Sequence, residues 1–440
     1  MPTLKGVRFD PPVLYRGERI LALAKKLLPR LVEPPDYIDS TFAATVYYMM
    51  FLPFPLVEYS REKGGAKGRE EAQYMLLQAI MSSPKFRKVR RHTVADLAAS
   101  TAASAVLLEA LINELARRSY SSKPETSQGS GEENKSTSSI DEEELRGSVE
   151  RALEAASDVA EQAKEISQFT MTFSAGSASA LSLEDAVQDV INLARNTDVR
   201  MLLDMLRTIE DTEALVKKRK TRSPRGELDG YEKGDDIERL VPSELALPTD
   251  LFLVKYAERS LLLYRKIVSE DYGPFYVLLD KSGSMMGMKM LWAKAVALAL
   301  AQRAARENRE FYIRFFDSIP YPPMRLPRRV KGRDVVRLLE YIARIRANGG
   351  TDISRAILTA VDDILAAETR HKPADIILIT DGEDRVSIDL VRRSLAKANA
   401  RLYTVMIYGN NPDLRRVSDG YMVATRTGKE EALKVVSLAS

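Results

Sequence analysis

The feature that most constrains this fold is a set of short, almost wholly apolar segments in the last third of the chain. They occupy residues 274–279, 311–316, 374–380 and 401–408, and helical patterns alternate with them. A strand that is buried on both faces must be apolar throughout, and strands that alternate with helices form mostly parallel sheets. We therefore predict a doubly wound, Rossmann-like α/β domain at the C-terminus.

Helical patterns connect these segments and fill the first half of the chain. In the α/β part they cover 288–306, 333–345, 353–367, 386–398 and 430–438, with one more strand at 421–425. Upstream, apolar residues recur every three or four positions at 18–31, 94–115, 141–169 and 183–218, without a long period-two alternation. We therefore predict an all-α N-terminal region.

Changes in composition suggest how the chain divides. Residues 121–140 contain almost no apolar side chain and cannot bury enough surface to offset their ordering entropy, so we expect a flexible polar linker. Residues 221–250 are rich in proline, glycine and charge, which indicates a connector. The predicted organisation is a helical domain at 1–120, the linker at 121–140, a helical hairpin or bundle at 141–220, the connector at 221–250 and the α/β domain at 251–440.

Overall composition excludes several classes of site. The absence of cysteine excludes disulfides, thiolate metal sites and cysteine nucleophiles. The net charge is only +4, so any argument for nucleic acid must depend on local clusters. The N-terminus lacks the layout of a signal peptide, and we expect a cytoplasmic protein.

One segment tests that expectation. Residues 40–57 contain no charged side chain, and their apolar part approaches the shortest length that can span a membrane. Pro53 and Pro55 interrupt it, which favours a buried core helix over peripheral membrane contact.

Polar side chains follow two of the apolar segments where parallel strands would end. Asp280 and Asp381 come directly after the segments 274–279 and 374–380. Ser282 and Ser284 follow Asp280 at alternate positions, and Thr351 lies in the sequence NGGTD between the two strands. Ligands of doubly wound sheets collect at the carboxyl ends of the strands. Two carboxylates and three hydroxyls form a hard oxygen shell that suits Mg²⁺ or Mn²⁺ rather than Zn²⁺.

The charges of this shell predict what the site does. Hydroxyls neutralise no charge, so a divalent ion held by two carboxylates keeps positive character and attracts a further carboxylate. The expected activity is metal-dependent binding of an acidic residue of a partner, rather than bond breaking.

These residues resemble the metal-ion-dependent adhesion site of von Willebrand factor A (VWA) domains. The matching elements are Asp280, Ser282 and Ser284 in D-x-S-x-S, Thr351 in GGTD and Asp381 in TDG. The resemblance implies that the serines and the threonine contact the metal directly or through water and that Asp381 acts through a water. The candidates for residues that contact these ligands, and not the metal itself, are Asp352, Gly283 and Gly350.

A looser resemblance concerns the connector and the α/β domain, and the first two hundred residues support it only in being helical. Residues 231–247, together with a helical first half, are similar to the prokaryotic ViaA/CoxE-like proteins, in which a VWA domain is paired with a MoxR-type AAA+ ATPase. This resemblance implies a bacterial or archaeal adaptor with a chaperone-like or complex-assembly role, whose partners are such an ATPase or a client protein that supplies Asp or Glu to the metal. The many charged residues without cysteine would suit a thermophile.

An enzyme is not expected. His92 lies in a basic helical stretch and His371 in a loop before a strand, where ordinary surface roles are expected. Residues 283–287, GSMMG, do not match a nucleophile elbow, and 64–68, GGAKG, lack the spacing of a phosphate-binding loop.

RNA binding is the alternative function, because RNA-binding Ro proteins also join a helical region to a VWA domain. Two basic clusters could contact nucleic acid or a partner: Lys85, Arg87, Lys88, Arg90 and Arg91, and Lys217, Lys218, Arg219 and Lys220. Solvated helix ends explain such clusters more simply, and the clusters lack interleaved aromatic residues apart from Phe86.

A methionine-rich stretch adjoins the predicted site. Met285, Met286, Met288 and Met290 either pack in the core with the helix that follows or form a compliant apolar rim around the metal. Trp292 is expected in the core.

Overall fold

The computed structural model describes residues 2–5, 7–29, 32–59, 67–121, 142–173, 186–210, 221–268, 273–367 and 372–438. Most of the predicted linker, His371, residues 64–66 and the basic residues Lys217, Lys218, Arg219 and Lys220 lie outside these ranges.

Helices dominate the chain up to Glu210. They are α1 (Pro11–Leu27), α2 (Ser40–Phe51), α3 (Lys67–Ser82), α4 (Pro84–Thr93), α5 (Leu97–Ser121), α6 (Glu142–Met171), α7 (Val187–Ala194) and α8 (Thr197–Glu210). The short strands β1 (Pro2–Leu4) and β2 (Val57–Tyr59) pair with each other in an antiparallel manner. The prediction of a helical N-terminal region is confirmed.

Strands and helices alternate after that point. The elements are β3 (Thr221–Gly234), α9 (Pro242–Leu245), α10 (Thr249–Ala257), β4 (Leu261–Val268), β5 (Phe275–Asp280), α11 (Met288–Arg306), β6 (Phe311–Phe316), β7 (Met324–Leu326), α12 (Gly332–Arg344), α13 (Ile353–Ala366), β8 (Ala374–Thr380), α14 (Ile388–Lys397), β9 (Ala400–Ile407), α15 (Pro412–Val417), β10 (Gly420–Ala424) and α16 (Lys429–Leu438). In this α/β part the ends of the predicted elements shift by two residues at most, whereas in the helical region α1 begins at Pro11 instead of residue 18. The elements β4, β7, α9, α10 and α15 are additional to the predicted ones.

A mostly parallel six-stranded sheet is the centre of the α/β part. Its strand order is β10-β9-β8-β5-β6-β7. The pairs β5 with β6, β5 with β8, β8 with β9 and β9 with β10 are all parallel. Every residue of β5, β6 and β8 is buried, which explains why these segments are apolar throughout. The predicted doubly wound fold is confirmed.

The chain divides into two compact units. The first comprises Met1–Arg207, Met286–Asn308 and Met324–Ala347, and the second comprises Thr208–Met285, Arg309–Pro323 and Asn348–Ser440.

The first unit is a helical assembly in which small side chains allow close packing. Helix α5 packs along α6, and α12 also packs against α6 and α7. Alanines are buried on both long helices, including Ala99, Ala102 and Ala103 of α5 and Ala152, Ala156 and Ala160 of α6. Trp292 of α11 is fully buried, as predicted.

Helix α2 is a core helix of this unit, as predicted for the uncharged segment. Asp39 caps it by accepting a hydrogen bond from the Phe42 amide at 2.8 Å, and Phe42, Tyr47 and Met49 are almost completely buried. Within the described ranges, one helical stretch, Leu97–Arg117 of α5, is apolar and long enough to cross a membrane, and 72% of its most apolar window is buried in the fold.

The core of the second unit lies on one face of the sheet. Side chains of β5, β6, β8 and β9, such as Tyr276 and Leu378, join apolar residues of α13, α14 and α15, such as Ile357 and Leu395, in one cluster. This packing fixes the strands whose carboxyl ends form the site.

Two predicted elements differ in the structure. The single helix at 183–218 is interrupted at Arg195 and Asn196, where the Asn196 side chain accepts a hydrogen bond from the Asp198 amide at 2.9 Å and starts α8. The region 221–250 contains β3, which pairs antiparallel with β4. Its polar sequence gives no strand signal, because Pro224 and Gly226 lie at one register shift and Gly230 at the other.

Candidate metal centre

The predicted carboxylates lie at the switch point of the sheet. From β5 the chain adds β6 and β7 on one side, whereas β8, β9 and β10 lie on the other, so the strand order reverses between β5 and β8. Leu279 pairs with Ile379 in the register of these two strands. Asp280, the last residue of β5, is therefore level with Thr380, and Asp381 follows immediately.

Asp280 is fully buried and held by two hydrogen bonds. Its Oδ1 accepts the Ser282 amide at 2.7 Å, and its Oδ2 accepts the Thr380 hydroxyl at 2.5 Å. Burial raises the pKa of Asp280, although these hydrogen bonds act in the opposite direction. Thr380 is not among the residues predicted from the sequence, although its place at the end of a buried strand, beside Asp381, is a signal for it.

The two serines and Asp381 form a chain of oxygen atoms. Ser282 Oγ lies 3.0 Å from Ser284 Oγ, and Ser284 Oγ donates to Asp381 Oδ1 at 2.7 Å. Ser282 is buried, whereas Ser284 is exposed. Residues 97 positions apart in the chain are thus brought into direct contact, and the chain of oxygens runs from the interior toward solvent.

Thr351 lies against the same cluster. A Cβ atom built on Gly382 would meet Thr351 Cγ2 at 3.1 Å, Thr380 Oγ1 at 3.2 Å and Asp280 Oδ2 at 3.5 Å. The absence of a side chain at Gly382 therefore leaves room in which these groups converge. From the sequence, Gly382 stands out only as part of the TDG motif.

The three candidates for supporting residues have different surroundings. The Gly283 amide donates to the Gly349 carbonyl at 3.0 Å, which connects the loop after β5 to the loop before α13. A Cβ on Gly350 would lie 2.7 Å from Ser318 Oγ, so a side chain there would displace Ser318, although Gly350 itself is exposed. Asp352 caps α13, where its carboxylate accepts the Arg355 amide at 2.9 Å.

The arrangement of donors fits a small hard cation. Adjacent ligands of an octahedral Mg²⁺, at about 2.0 to 2.1 Å from the ion, lie about 2.9 Å apart. The oxygen separations of 3.0 Å and 2.7 Å along Ser282, Ser284 and Asp381 are close to this value. Within the described ranges no group of three or more His, Asp or Glu residues is placed to hold a metal, so a cation here would depend on the hydroxyls as well as on Asp280 and Asp381.

Lys281 lies between two of these residues in sequence but points away from them. Its ammonium lies 2.8 Å from Asp317 Oδ2 and 4.5 Å from the centre of the Tyr321 ring. Burial opposes the charge, but hydrogen bonds to Asp317 and Tyr321 outweigh it and raise the pKa of Lys281. The positive charge of this side chain is therefore compensated locally.

The basic cluster of α4 is partly used inside the protein. Lys85 forms an ion pair with Glu154 at 2.7 Å, and Arg90 donates to the carbonyls of Leu52 and Pro53 at 2.5 and 2.7 Å. The exposed members are Arg87, Lys88 and Arg91.

The methionines near the site have two kinds of environment. Met285 and Met290 are buried, whereas Met286 and Met288 are exposed. Core packing therefore accounts for the first pair alone.

Part of this chain matches a known protein family, and part of it is similar to archaeal proteins. The family model described as the von Willebrand factor type A domain matches residues 275–383. The uncharacterized protein MJ0811 of Methanocaldococcus jannaschii is 29% identical over 294 residues, which cover 62% of this chain and 66% of that protein. The uncharacterized protein MJ0077 of the same organism is 28% identical over 237 residues, which cover 51% of this chain and 58% of that protein. The matches thus span less than two thirds of the length of either relative.

Among solved structures, von Willebrand factor type A from Catenulispora acidiphila is 21% identical, with a TM-score of 0.32 and coverage of 39% of this chain and 43% of that one. The family match to residues 275–383 includes Asp280, Ser282, Ser284, Thr351 and Asp381. Residues 275–383 therefore match the von Willebrand factor type A domain, and the candidate metal centre lies within the matched segment.

Proposed function

We propose that this protein binds a divalent cation, Mg²⁺ or Mn²⁺, at Asp280, Ser282, Ser284, Thr351 and Asp381, and that an acidic residue of a partner protein completes the coordination. The observation that supports this most directly is the continuous contact of Ser282, Ser284 and Asp381 beside buried Asp280, at separations of 3.0 and 2.7 Å. Hydroxyls supply most of the shell and neutralise no charge. The bound cation would therefore act by attracting a carboxylate.

The role that follows is docking rather than catalysis. We propose a cytoplasmic adaptor that works with a MoxR-type AAA+ ATPase in chaperone-like or complex-assembly reactions, either by binding the ATPase or by binding its client. The support is the resemblance of residues 231–247 to ViaA/CoxE-like proteins. In this segment Ile237 and Leu245 are exposed, which offers apolar surface to a protein partner.

The test compares Asp280→Asn with the matched control Asp389→Asn, an exposed carboxylate in the first turn of α14. Calorimetry with Mn²⁺ is expected to show binding by the wild type and the control, and at least about 100-fold weaker binding by Asp280→Asn, since it loses one of only two charged ligands. Pull-down of a MoxR-type ATPase and of cellular clients should need Mg²⁺ and be lost with chelator or with Asp280→Asn.

Two results would contradict the proposal. One is that Mn²⁺ and Mg²⁺ are ignored by the folded wild type even when a large excess of an Asp-containing or Glu-containing peptide is present. The other is that Asp280→Asn, shown to be folded by circular dichroism, captures the same partners as the wild type.

RNA binding is the second candidate, and the exposure of Arg87, Lys88 and Arg91 on α4 is the observation that favours it. The logarithm of an affinity for RNA would fall steeply and linearly with the logarithm of salt concentration. Docking through the metal would instead depend on the cation and on Asp280, so a salt titration with and without chelator separates the two candidates.

A further inference from the structure

The side chain of Lys281 connects the loop after β6 with the loop before α13. Its ammonium pairs with Asp317 Oδ2 at 2.8 Å and donates to the Asn348 carbonyl at 3.1 Å. Only 9% of the Lys281 side chain and 10% of the Asp317 side chain are exposed. The pair is therefore screened from solvent far more than an ordinary surface ion pair, whose contribution is small.

Asp317 follows β6 directly and has further partners. Its Oδ1 accepts the Ile319 amide at 2.9 Å, and its Oδ2 accepts the Tyr321 hydroxyl at 3.0 Å. Its backbone carbonyl accepts the Asp352 amide at 3.0 Å. Asp317 thus contacts, through its backbone, the residue that follows Thr351.

The segment 348–352 is held by the same two residues. The Asn348 amide donates to the Lys281 carbonyl at 2.6 Å. Gly349 has a φ of +98°, and a Cβ there would lie 2.8 Å from Asp317 Oδ2. Backbone and side-chain contacts of Lys281 and Asp317 therefore fix both ends of the short loop that presents Thr351.

We propose that Lys281 and Asp317 are positioning residues of the metal centre: their ion pair holds the loop 348–352 so that Thr351 faces Asp280. This inference deepens the proposed function and relies on it for one of its two readouts. The alternative role for Lys281 is a cation near the metal that weakens binding by repulsion.

The two roles predict opposite signs. If Lys281 acted by repulsion, its removal would tighten metal binding. If it acts by positioning, its removal weakens binding, because partners that orient metal ligands typically contribute about 10- to 100-fold in affinity.

The experiment measures Mn²⁺ affinity of the full chain by calorimetry for Lys281→Met, Asp317→Asn and the double variant. Lys397→Met, an exposed lysine in the last turn of α14, is the matched control. We expect about 10- to 100-fold weaker binding for each single variant, no change for the control, and a double variant whose loss is smaller than the product of the single losses. Lys281→Arg, which keeps the charge, should recover part of the affinity.

Amide hydrogen exchange of the peptide around 347–353 is the second readout and needs no metal. We expect faster exchange of this peptide in Lys281→Met, with exchange in β9 unchanged, which separates local loosening from global unfolding. Unchanged or tighter Mn²⁺ binding by Lys281→Met would overturn the proposal.

If the wild type itself binds no Mn²⁺, the proposed function fails, and hydrogen exchange alone decides the positioning of the loop. In that case faster exchange supports the role of the ion pair, and unchanged exchange overturns it.

Discussion

The two units of this protein differ in how many of their buried polar groups find partners nearby in the chain, although Thr93 of the helical unit donates to the Met50 carbonyl, 43 residues away. In the helical unit, several buried hydroxyls bond to the preceding turn of their own helix, as in Thr45 to the Thr41 carbonyl and Thr101 to the Leu97 carbonyl, each four residues away. In the α/β unit, buried polar groups meet across the chain. Thr380 contacts Asp280, which is 100 residues away.

This difference determines how much a polar residue in the sequence says about the tertiary structure. A hydroxyl that bonds to its own helix could occupy any turn of many helices, so it says little about tertiary structure. A polar group at the end of a buried strand must find its partner on another strand, because an unpaired buried polar group is costly. A polar residue at a strand end of the α/β unit therefore says more about tertiary structure and function than a hydroxyl within a helix. Three measurements test this contrast between the units.

The largest effect is expected for the buried ion pair of Arg309 and Asp375 in the α/β unit. The two groups lie 2.7 Å apart, with 2% and 0% of their side chains exposed, and Arg309 also donates to the Gly273 carbonyl at 2.9 Å. In Arg309→Met, Asp375 would still pair with Arg401 at 2.8 Å, but through its other carboxylate oxygen. We expect the free energy of unfolding to fall by about 3 to 5 kcal/mol.

The matched variant in the helical unit is Arg151→Met. Arg151 pairs with Glu114 at 2.6 Å but is 61% exposed, so the loss should be under about 1 kcal/mol. Urea unfolding followed by circular dichroism measures both. Equal losses for the two variants would remove the contrast between the units.

Lys294 tests the contrast between the two units, because it places a buried charged group in the helical unit. Its ammonium donates to the Ile345 carbonyl at 2.6 Å, and burial lowers the pKa of Lys294 to about 8. Between about pH 8 and the ordinary lysine pKa, the unfolded chain holds more protons than the folded one, so stability rises with pH. Across this window the gain approaches about 3 kcal/mol.

Lys294→Met should lack this rise. Urea unfolding at several pH values, followed by the fluorescence of Trp292, the single tryptophan, compares the variant with the wild type in the same unit. Parallel pH profiles for the two proteins would show that folding does not lower the pKa of Lys294.

The smallest effect concerns close packing in the helical unit. A Cβ on Gly17 of α1 would lie 2.0 Å from the Ser40 carbonyl oxygen, whereas a Cβ on Gly147 of α6 would meet nothing nearer than 3.9 Å. Gly17→Ala should lower the free energy of unfolding by about 1 to 3 kcal/mol despite the better helix propensity of alanine. Gly147→Ala should raise it by about 0.5 to 1 kcal/mol. Thermal unfolding measures both changes. Stabilisation by Gly17→Ala would show that the space between α1 and α2 can hold a methyl group at this position.

The sequence predicted the elements that are buried on both faces, because burial alone dictates their composition. The segments at 311–316 and 374–380 and the helix at 288–306 match the structure residue by residue. The carboxyl ends of β5 and β8 follow from the parallel fold, so the contact among Ser282, Ser284 and Asp381 could be anticipated from the sequence.

Other features depend on partners that are distant in the chain. Strand β3 is polar and pairs with β4 only because the chain returns there, and the break at Asn196 depends on a single side-chain hydrogen bond. No pattern in the sequence around Lys281 or Asp317 predicts that the two side chains are buried against each other. The periodicity of apolar residues predicts which face of a helix or strand is buried. It does not predict which polar groups bond to each other.

The long separation between Asp280 and Asp381 also has a consequence for synthesis. A nascent chain that has just completed β5 and the loop after it already contains Asp280, Ser282 and Ser284, but it lacks the second carboxylate until about a hundred further residues have been translated. A cation that contacts all five side chains would therefore stabilise only a chain that has been translated past Asp381. Its capture would come late, after β8 has inserted beside β5, and would act as a check that the sheet has been assembled in the right order.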